Sequence, residues 1–226
     1  MIFTFLFLHF VNAQTAPQFF VSWQADSYSP SWYQGKIFPT QGNRIKAGFE
    51  LTENGKIIDL SKNRVRWYVN DELVKNEDNG LGIKSFSFVV SDYAGEDIEV
   101  KIAVLPCDRA CAGYNKGEIL YKIIKIPVVS PEAVMDAPYK ERQISTGENK
   151  FFAYPFFFSV KNLDKLSFSW LINGQEAKGG DKESDILNLN INPAVISGDA
   201  VNLRLTIKNL LKDLEFGSVE KKLIIK

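Results

Sequence analysis

The sequence predicts an all-β protein: two tandem immunoglobulin-like β-sandwich domains that follow an N-terminal signal peptide. Three observations support this fold class: apolar and polar residues alternate in many short segments, turn dipeptides separate those segments, and one four-residue motif occurs twice. Alternation with a period of two is typical of strands that are buried on one face. The length of 226 residues suits either one large domain or two domains of about 100 residues each, and the repeated motif favours two.

Seven segments carry the strand pattern most clearly. Every second residue is apolar in 186–192 and 201–207, and the remaining five are rich in β-branched or aromatic residues: 84–91, 97–105, 119–129, 166–172 and 219–226. Between segments stand the turn dipeptides Asn54-Gly55, Asn79-Gly80, Asn173-Gly174, Gly179-Gly180 and Ser197-Gly198. Short strands with turns every roughly 8–12 residues are typical of a β-sandwich.

The repeated motif is Trp-x-[Val/Ile]-Asn, which occurs at Trp67–Asn70 and again at Trp170–Asn173. The chain reverses directly afterwards, at Asn70-Asp71 and at Asn173-Gly174, where the residue types tolerate the positive φ of a tight hairpin. A buried Trp on a central strand is a core feature of immunoglobulin-like sandwiches. The motif therefore predicts that Trp67 and Trp170 are core residues of two successive domains.

A proline-rich stretch, 127–142, marks the expected link between these domains. The predicted organisation is a signal peptide at 1–13, a first sandwich at 14–130 and a second sandwich at 131–226. The two cysteines are too close in sequence to form the inter-sheet disulfide of antibody domains, which both sandwiches therefore lack.

The N-terminus has the pattern of a signal peptide. An apolar run covers Ile2–Val11, and Val11-Asn12-Ala13 supplies small residues at the expected cleavage site before Gln14. A run of about ten residues is too short to span a bilayer. The alternative is a buried first strand or helix, but export is the favoured interpretation.

Cys107 and Cys111 lie four residues apart in a segment that contains Pro106 and Gly113. An exported chain favours a disulfide that closes a small loop. A redox pair is disfavoured because the spacing is not Cys-x-x-Cys, and zinc is disfavoured because partner histidines are missing. A pair of free thiols remains open.

Composition argues against several functions. Lys+Arg and Asp+Glu both number 27, so no basic excess exists for nucleic-acid binding. The single histidine, His9, falls within the expected signal peptide, which disfavours catalytic triads, histidine metal sites and any cofactor that needs them. Only a glycosidase with paired carboxylates is left open by composition. The acidic cluster 181–185 is interpreted as solvated turn charge rather than a calcium site.

The segment 27–36 gathers Tyr28, Trp32 and Tyr33 beside Pro30 and Gly35. Such aromatic residues either cover one end of the first sandwich or contact a sugar or a protein partner. Covering is the favoured interpretation, yet these three residues are the best candidate binding residues in the chain.

The segment 151–159 is apolar on both faces of an extended strand. Strict alternation separates the residues into two faces, one with Phe152, Tyr154, Phe156 and Phe158 and the other with Phe151, Ala153 and Phe157. A role in the core and between domains is favoured over an external docking surface. Pro155 has no N–H to donate, so the strand must bulge or lie at an edge there.

Two motifs carry a resemblance to a known group. The motifs A-D-S-Y-x-P-x-W-Y-x-G-K (25–36) and P-F-F-F-S (155–159), together with 65–74, resemble uncharacterised secreted two-domain immunoglobulin-like proteins of candidate-phyla, Parcubacteria-type bacteria. The resemblance covers nearly the whole chain after the signal peptide. It implies export, an envelope or cell-surface location and a sandwich fold, and it implies no known activity.

The sequence thus favours a non-catalytic structural or protein-interaction module of the cell envelope, either a spacer or a subunit that docks on an envelope or surface protein. A polysaccharide-binding module that uses the aromatic residues at 28–33 is the alternative. An enzyme accessory domain or a cryptic hydrolase is a third hypothesis. Strand edges at 119–129 or 219–226 offer a further route to a partner, by strand addition.

Overall fold

A computed structural model describes residues 16–107, 111, 113–137, 139–177 and 185–226. The expected signal peptide, His9 and residues 181–184 of the acidic cluster lie outside the described residues. The described part is all-β, with sixteen strands, three short 3₁₀ helices and no α-helix. None of its helices is long and apolar enough to cross a membrane.

The N-terminal half forms two four-stranded sheets. The first contains β1 (Gln18–Ala25), β2 (Arg44–Glu53), β3 (Lys56–Ile57) and β6 (Ser85–Val89), with β2 paired to each of the other three. The second has the order β5 (Glu72–Lys75), β4 (Val65–Val69), β7 (Asp97–Val104) and β8 (Leu120–Pro127). The two sheets pack face to face around Trp67, which is 0% exposed and contacts Phe49 and Phe86 at ring-centroid distances of 5.6 and 4.8 Å.

The C-terminal half forms a three-stranded and a five-stranded sheet. The first has the order β14 (Ile186–Ile191), β11 (Gly147–Phe156) and β9 (Glu132–Asp136). The second has the order β10 (Gln143–Ile144), β16 (Phe216–Ile225), β15 (Ala200–Asn209), β12 (Leu166–Ile172) and β13 (Gln175–Ala177). Trp170, on β12, is 1% exposed and lies in the core between these sheets.

The strand order is that of an immunoglobulin-like fold. Each tryptophan lies on a strand between two neighbours, β4 between β5 and β7, and β12 between β13 and β15. In the C-terminal half the short strand β10 pairs in parallel with the last strand, β16, while β12, β15 and β16 pair antiparallel. The prediction of an all-β, immunoglobulin-like sandwich fold is therefore confirmed, and the signal peptide stays a prediction.

The two hairpins that follow the tryptophans have the predicted backbone. Asn70 and Asp71 adopt φ values of 49° and 64°, and Asn173 and Gly174 adopt 50° and 81°. Two consecutive positive φ values match the right-handed twist of the strands that the turn connects. The repeated motif therefore encodes a central strand and the tight turn at its end.

By internal contacts the described chain divides into two compact units. One takes its described residues from Met1–Ser22, Ala47–Phe86 and Val100–Ile124; the other takes them from Trp23–Lys46, Ser87–Glu99 and Lys125–Lys226. The segment 23–46, which carries the candidate binding residues, therefore groups with strands β9 to β16. The domain boundary expected at 130/131 stays a prediction.

One prediction about which residues share a face of β11 and its continuation is wrong. Alternation predicts that Phe158 lies on the same face as Phe152 and Tyr154. Instead, Phe158 is 0% exposed and belongs to the same core cluster as Phe151. The reason is Phe157, whose φ of 61° lies in the left-handed region and interrupts the two-residue period.

Pro155 lies where β11 has lost one neighbour, as an edge position requires. Ala153 still donates its N–H to the carbonyl of Asp185 at 2.8 Å, and Phe157 donates to the carbonyl of Tyr28 at 2.7 Å. Residue 155, between them, faces the same edge, beyond the first residue of β14, Ile186, which pairs with Phe152. The missing N–H of Pro155 therefore leaves no gap in the hydrogen-bond ladder.

Candidate functional site

The aromatic loop, residues 28–38, is attached to the end of β11 through Tyr28. The backbone N–H of Tyr28 donates to the carbonyl of Phe158 at 2.7 Å, and its own carbonyl accepts from Phe157 at 2.7 Å. The ring packs against the core of the five- and three-stranded sheets. Burial, and secondly the negative charge of Asp185, raise the pKa of the Tyr28 hydroxyl. Tyr28 is thus used mainly for packing.

Tyr33 and Phe38 also face inward. Tyr33 contacts the rings of Phe156 and Phe157 at 5.1 and 6.3 Å, and its hydroxyl donates to the carbonyl of Lys36 at 3.3 Å. Phe38 contacts Phe157 at 5.8 Å. These edge-to-face contacts are the favoured geometry of aromatic pairs, so they fix the loop on the strand end.

Lys36 closes the base of the aromatic loop. Its Nζ donates to the carbonyl of Trp23 at 2.5 Å and lies 3.7 Å from the centroid of the Trp23 ring. Burial lowers the pKa of this amine. The loop conformation is therefore held from both ends before any ligand arrives.

Trp32 differs from the other candidate residues because 57% of its surface is exposed. Its ring stands nearly perpendicular to Tyr154 and Phe156, with centroids 5.2 and 5.9 Å away. The structure thus brings Tyr28, Trp32 and Tyr33 onto one strand end and leaves Trp32 as the most exposed of the three. Their role in binding remains a prediction.

Cys107 and Cys111 form a disulfide, with Cα atoms 6.2 Å apart. Asn63, which is 0% exposed, supports the base of this loop by donating to the carbonyls of Leu105 and Tyr114, both at 2.8 Å, and by accepting from the Tyr114 N–H at 3.1 Å. Residues 108–110 and 112 of the loop lie outside the described residues. The disulfide is a structural closure, as the sequence favours.

A second candidate surface lies in the turn between β15 and β16, which we call the leucine turn (residues 210–214). Three of its five side chains are leucines, and Leu210, Leu211 and Leu214 are 59%, 70% and 92% exposed. Phe216, directly after the turn, is 56% exposed. Large apolar side chains gathered in one turn and left in water indicate a contact surface.

The backbone under the leucine turn is rigidly held. Asn209 is 0% exposed; its Nδ2 donates to the carboxylate of Glu215 at 2.8 Å and its Oδ1 accepts from the Leu211 N–H at 2.8 Å. Glu215 also accepts from the backbone N–H of Ser159. Lys212 adds a bond to the Ser159 hydroxyl at 2.7 Å. The exposed leucines therefore stand on a turn whose buried polar groups are satisfied.

Beside the leucine turn runs a groove of about 580 Å³. Its apolar walls include Tyr93, Pro131, Leu214 and Phe216. Lys212 crosses its polar side and donates to the carbonyl of Gln41 at 3.2 Å. Leu214 belongs to both the leucine turn and the lining of this groove, which also includes the charged residues Lys212, Asp213 and Glu215.

Within the described residues, no group of three or more His, Cys, Asp or Glu side chains is arranged to hold a metal ion. The acidic residue of the 181–185 cluster that the structure describes is Asp185, and its carbonyl is part of the strand ladder.

Sequence reasoning missed the leucine turn. The available signal was the run KNLLKDLEF (208–216), in which apolar residues continue through a hairpin connection where turn residues are normally polar. An apolar turn between two strictly alternating strands is a local exception to that pattern, and it could have been noted.

No family model matches the chain, and a search of curated proteins found no match. Similar solved structures include the three N-terminal domains of the bacteriophage RB49 Highly Immunogenic Outer Capsid protein, with 10% identity over 92% of this chain and a TM-score of 0.44. Another is the ICAM-5 D1–D4 ectodomain fragment, with 7% identity over 91% of this chain and a TM-score of 0.31.

A third similar structure is Bacteroides ovatus SGBP-B in complex with a mixed-linkage heptasaccharide, with 16% identity over 94% of this chain and a TM-score of 0.25. The chain spans only 59%, 53% and 47% of these three structures. At such identities the likeness concerns the fold alone.

Proposed function

We propose that the protein is an exported, non-catalytic interaction module that docks on another envelope or surface protein through the leucine turn. The observation that carries this proposal is the exposure of Leu211 and Leu214, at 70% and 92%, on a turn fixed by buried hydrogen bonds. A soluble fold gains nothing from these side chains in water, but a partner pocket would gain their burial.

The rigidity of the turn supports docking as well. A flexible loop loses conformational entropy when it binds, at about 0.5–1.5 kcal/mol for each side chain that becomes fixed. Here Asn209 and Glu215 fix the backbone in advance, so that cost falls mainly on the leucine side chains. A preorganised backbone favours binding because less conformational entropy is lost when the partner docks.

Export is supported by the disulfide between Cys107 and Cys111, because such bonds persist in oxidising compartments. It is also supported by the signal-peptide pattern at 1–13. An origin in candidate-phyla bacteria and an envelope location stay predictions that follow from the sequence resemblance. The lack of catalysis is proposed because the sequence has no histidine after His9 and none of the nucleophile motifs of hydrolases.

Two variants of matched chemistry test the docking site. We expect Leu211→Asp/Leu214→Asp to abolish partner capture from intact envelopes after cross-linking, because each carboxylate would have to be desolvated in an apolar pocket. Ile196→Asp is the control, because Ile196 is an isolated apolar side chain that is 74% exposed in a different turn. Capture that survives the double substitution, or that is lost equally in the control, contradicts the proposal.

Polysaccharide binding is a second candidate function, and one observation favours it. Trp32 exposes 57% of its surface on an aromatic loop that is already fixed, and such a side chain can pack on a sugar ring. Tyr28 and Tyr33, the other residues considered for this role, are engaged in packing. Loss of glycan binding in Trp32→Ala, with unchanged binding in Tyr121→Ala, is the expected result; Tyr121 is 69% exposed elsewhere.

A further inference from the structure

We infer, on the basis of the second candidate function, that the outer face of the three-stranded sheet β9, β11 and β14 binds a neutral polysaccharide together with Trp32. Trp32 alone would offer one ring, which provides little specificity. The face next to it supplies the remaining contacts, and these come from residues outside the aromatic loop.

Four side chains form a continuous row along β11 and onto the loop. The Nζ atom of Lys150 lies 5.1 Å from the centroid of Phe152, Phe152 lies 6.4 Å from Tyr154, and Tyr154 lies 5.2 Å from Trp32. Phe152 and Tyr154 are half-buried, in contrast to their inward neighbours Phe151 and Ala153. The row therefore presents apolar ring surface on the solvent side of the sheet.

The neighbouring strand β14 places amides beside the charged end of this row. Glu148 pairs with Asn190, and Lys150 pairs with Asn188, in antiparallel register. These four residues line a recess of about 470 Å³ at the end of the sheet. The surface thus changes from polar to aromatic along one strand direction.

The polar side chains of this face have hydrogen-bonding groups that are available to a ligand. Glu148, Asn188 and Asn190 form no side-chain hydrogen bond with any other described residue. An amide both donates and accepts, and a carboxylate accepts at two oxygens, so these groups suit neighbouring hydroxyls. A polysaccharide offers hydroxyls at the edges of its rings and apolar C–H surface on their faces, which matches both ends of the row.

The charge on this face favours a neutral polymer over an acidic one. The described charges are those of Glu148 and Lys150 on β11 and of Glu132 and Asp136 on β9, where Asp136 lies opposite Phe152 and Glu132 opposite Phe156. One cation beside three carboxylates gives no attraction for uronic acids or phosphates. An acidic polysaccharide would therefore be repelled.

The test is affinity electrophoresis of the full chain in gels that contain a glucan, a mannan, a xylan or a galactan, with alginate as the acidic probe. We expect retardation by at least one neutral polymer and none by alginate. The double variant Asn188→Ala/Asn190→Ala should weaken that interaction at least tenfold while its melting temperature is unchanged. Asn202→Ala, on the outer side of β15, is the matched control and should bind like the parent chain.

The possible failures are distinguishable. Binding that depends on Trp32 but not on Asn188 and Asn190 overturns the assignment of the sheet face and leaves the second candidate function standing. No retardation by any of the polymers overturns both, whereas preference for alginate overturns the assignment of a neutral ligand and leaves polysaccharide binding standing. Conservative replacement by Trp32→Phe should retain part of the binding, and its failure to do so with a folded protein contradicts a stacking role.

Discussion

The aromatic loop and the leucine turn differ in how the exposure of their side chains compares with what their sequences suggest. The loop is rich in aromatic rings, which suggests binding, yet Tyr28 and Tyr33 are committed to Phe156, Phe157 and the core. The turn has the position of an ordinary hairpin connection, yet it exposes leucines.

The difference between them lies in the availability of packing partners. The loop lies against the end of β11, where Pro155 and the end of β14 leave an edge that the backbone of Tyr28 occupies. The leucine turn connects two strands and extends beyond them, so no described side chain covers Leu214, which is 92% exposed. The exposure of the side chains, and not their residue type, therefore distinguishes a contact surface from a loop that covers the end of a sandwich.

The largest expected effect concerns the attachment of the aromatic loop. We expect Phe158→Ala to lower the free energy of unfolding by about 3–5 kcal/mol, since Phe158 is 0% exposed in the core beneath Tyr28. Phe20→Ala, at a side chain that is 59% exposed, should change it by less than about 0.5 kcal/mol. Urea unfolding measures both, and equal effects would mean that the loop does not depend on this core residue.

A smaller effect is expected under the leucine turn. Asn209→Ala removes the bonds to Glu215 and to the Leu211 N–H and leaves a carboxylate with few partners in a buried place. We expect a loss of about 1–3 kcal/mol. Faster amide hydrogen exchange at Leu211 should accompany it. Unchanged exchange in the variant would contradict the view that Asn209 holds the turn.

The smallest effect is the dependence of stability on pH, which should involve the aromatic loop and not the leucine turn. The folded state raises the pKa of Tyr28 above its ordinary value of 10.0, so the stability that its neutral form provides is complete below pH 10 and is lost as the pH rises through the raised pKa. Burial also raises the pKa values of Tyr114 and Tyr139, so absorbance at 295 nm should show several late-titrating tyrosines, of which Tyr28→Phe removes one. Exchange at the leucine turn should not respond, and a response there would link the two regions.

The sequence predicts the sandwiches well because alternation and turn chemistry are local. The segment 201–207 forms the centre of β15. Asn173-Gly174 forms the predicted turn between β12 and β13, with both φ values positive. Phe158 was misplaced because a single left-handed residue, Phe157, reverses the faces, and nothing in the residue type of a phenylalanine announces a positive φ.

The candidate sites were harder to predict because exposure depends on tertiary partners. Trp32 and Tyr33 are adjacent in sequence, yet one is exposed and the other packs on Phe156. The sheet face of Asn188 and Asn190 comes together only through the register of β14 on β11. Register between distant strands follows from the assembled core and is not written in either segment alone.

We expect the leucine turn to bind a protein partner directly. The most direct measurement is site-specific photo-crosslinking in the cells that produce the protein, with a photoreactive residue at position 214 or, as the control, at position 196. We expect position 214 to label one or two proteins reproducibly, position 196 not to label them, and Leu211→Asp to prevent the labelling. Labelling from position 196 alone, or from neither position, would contradict it.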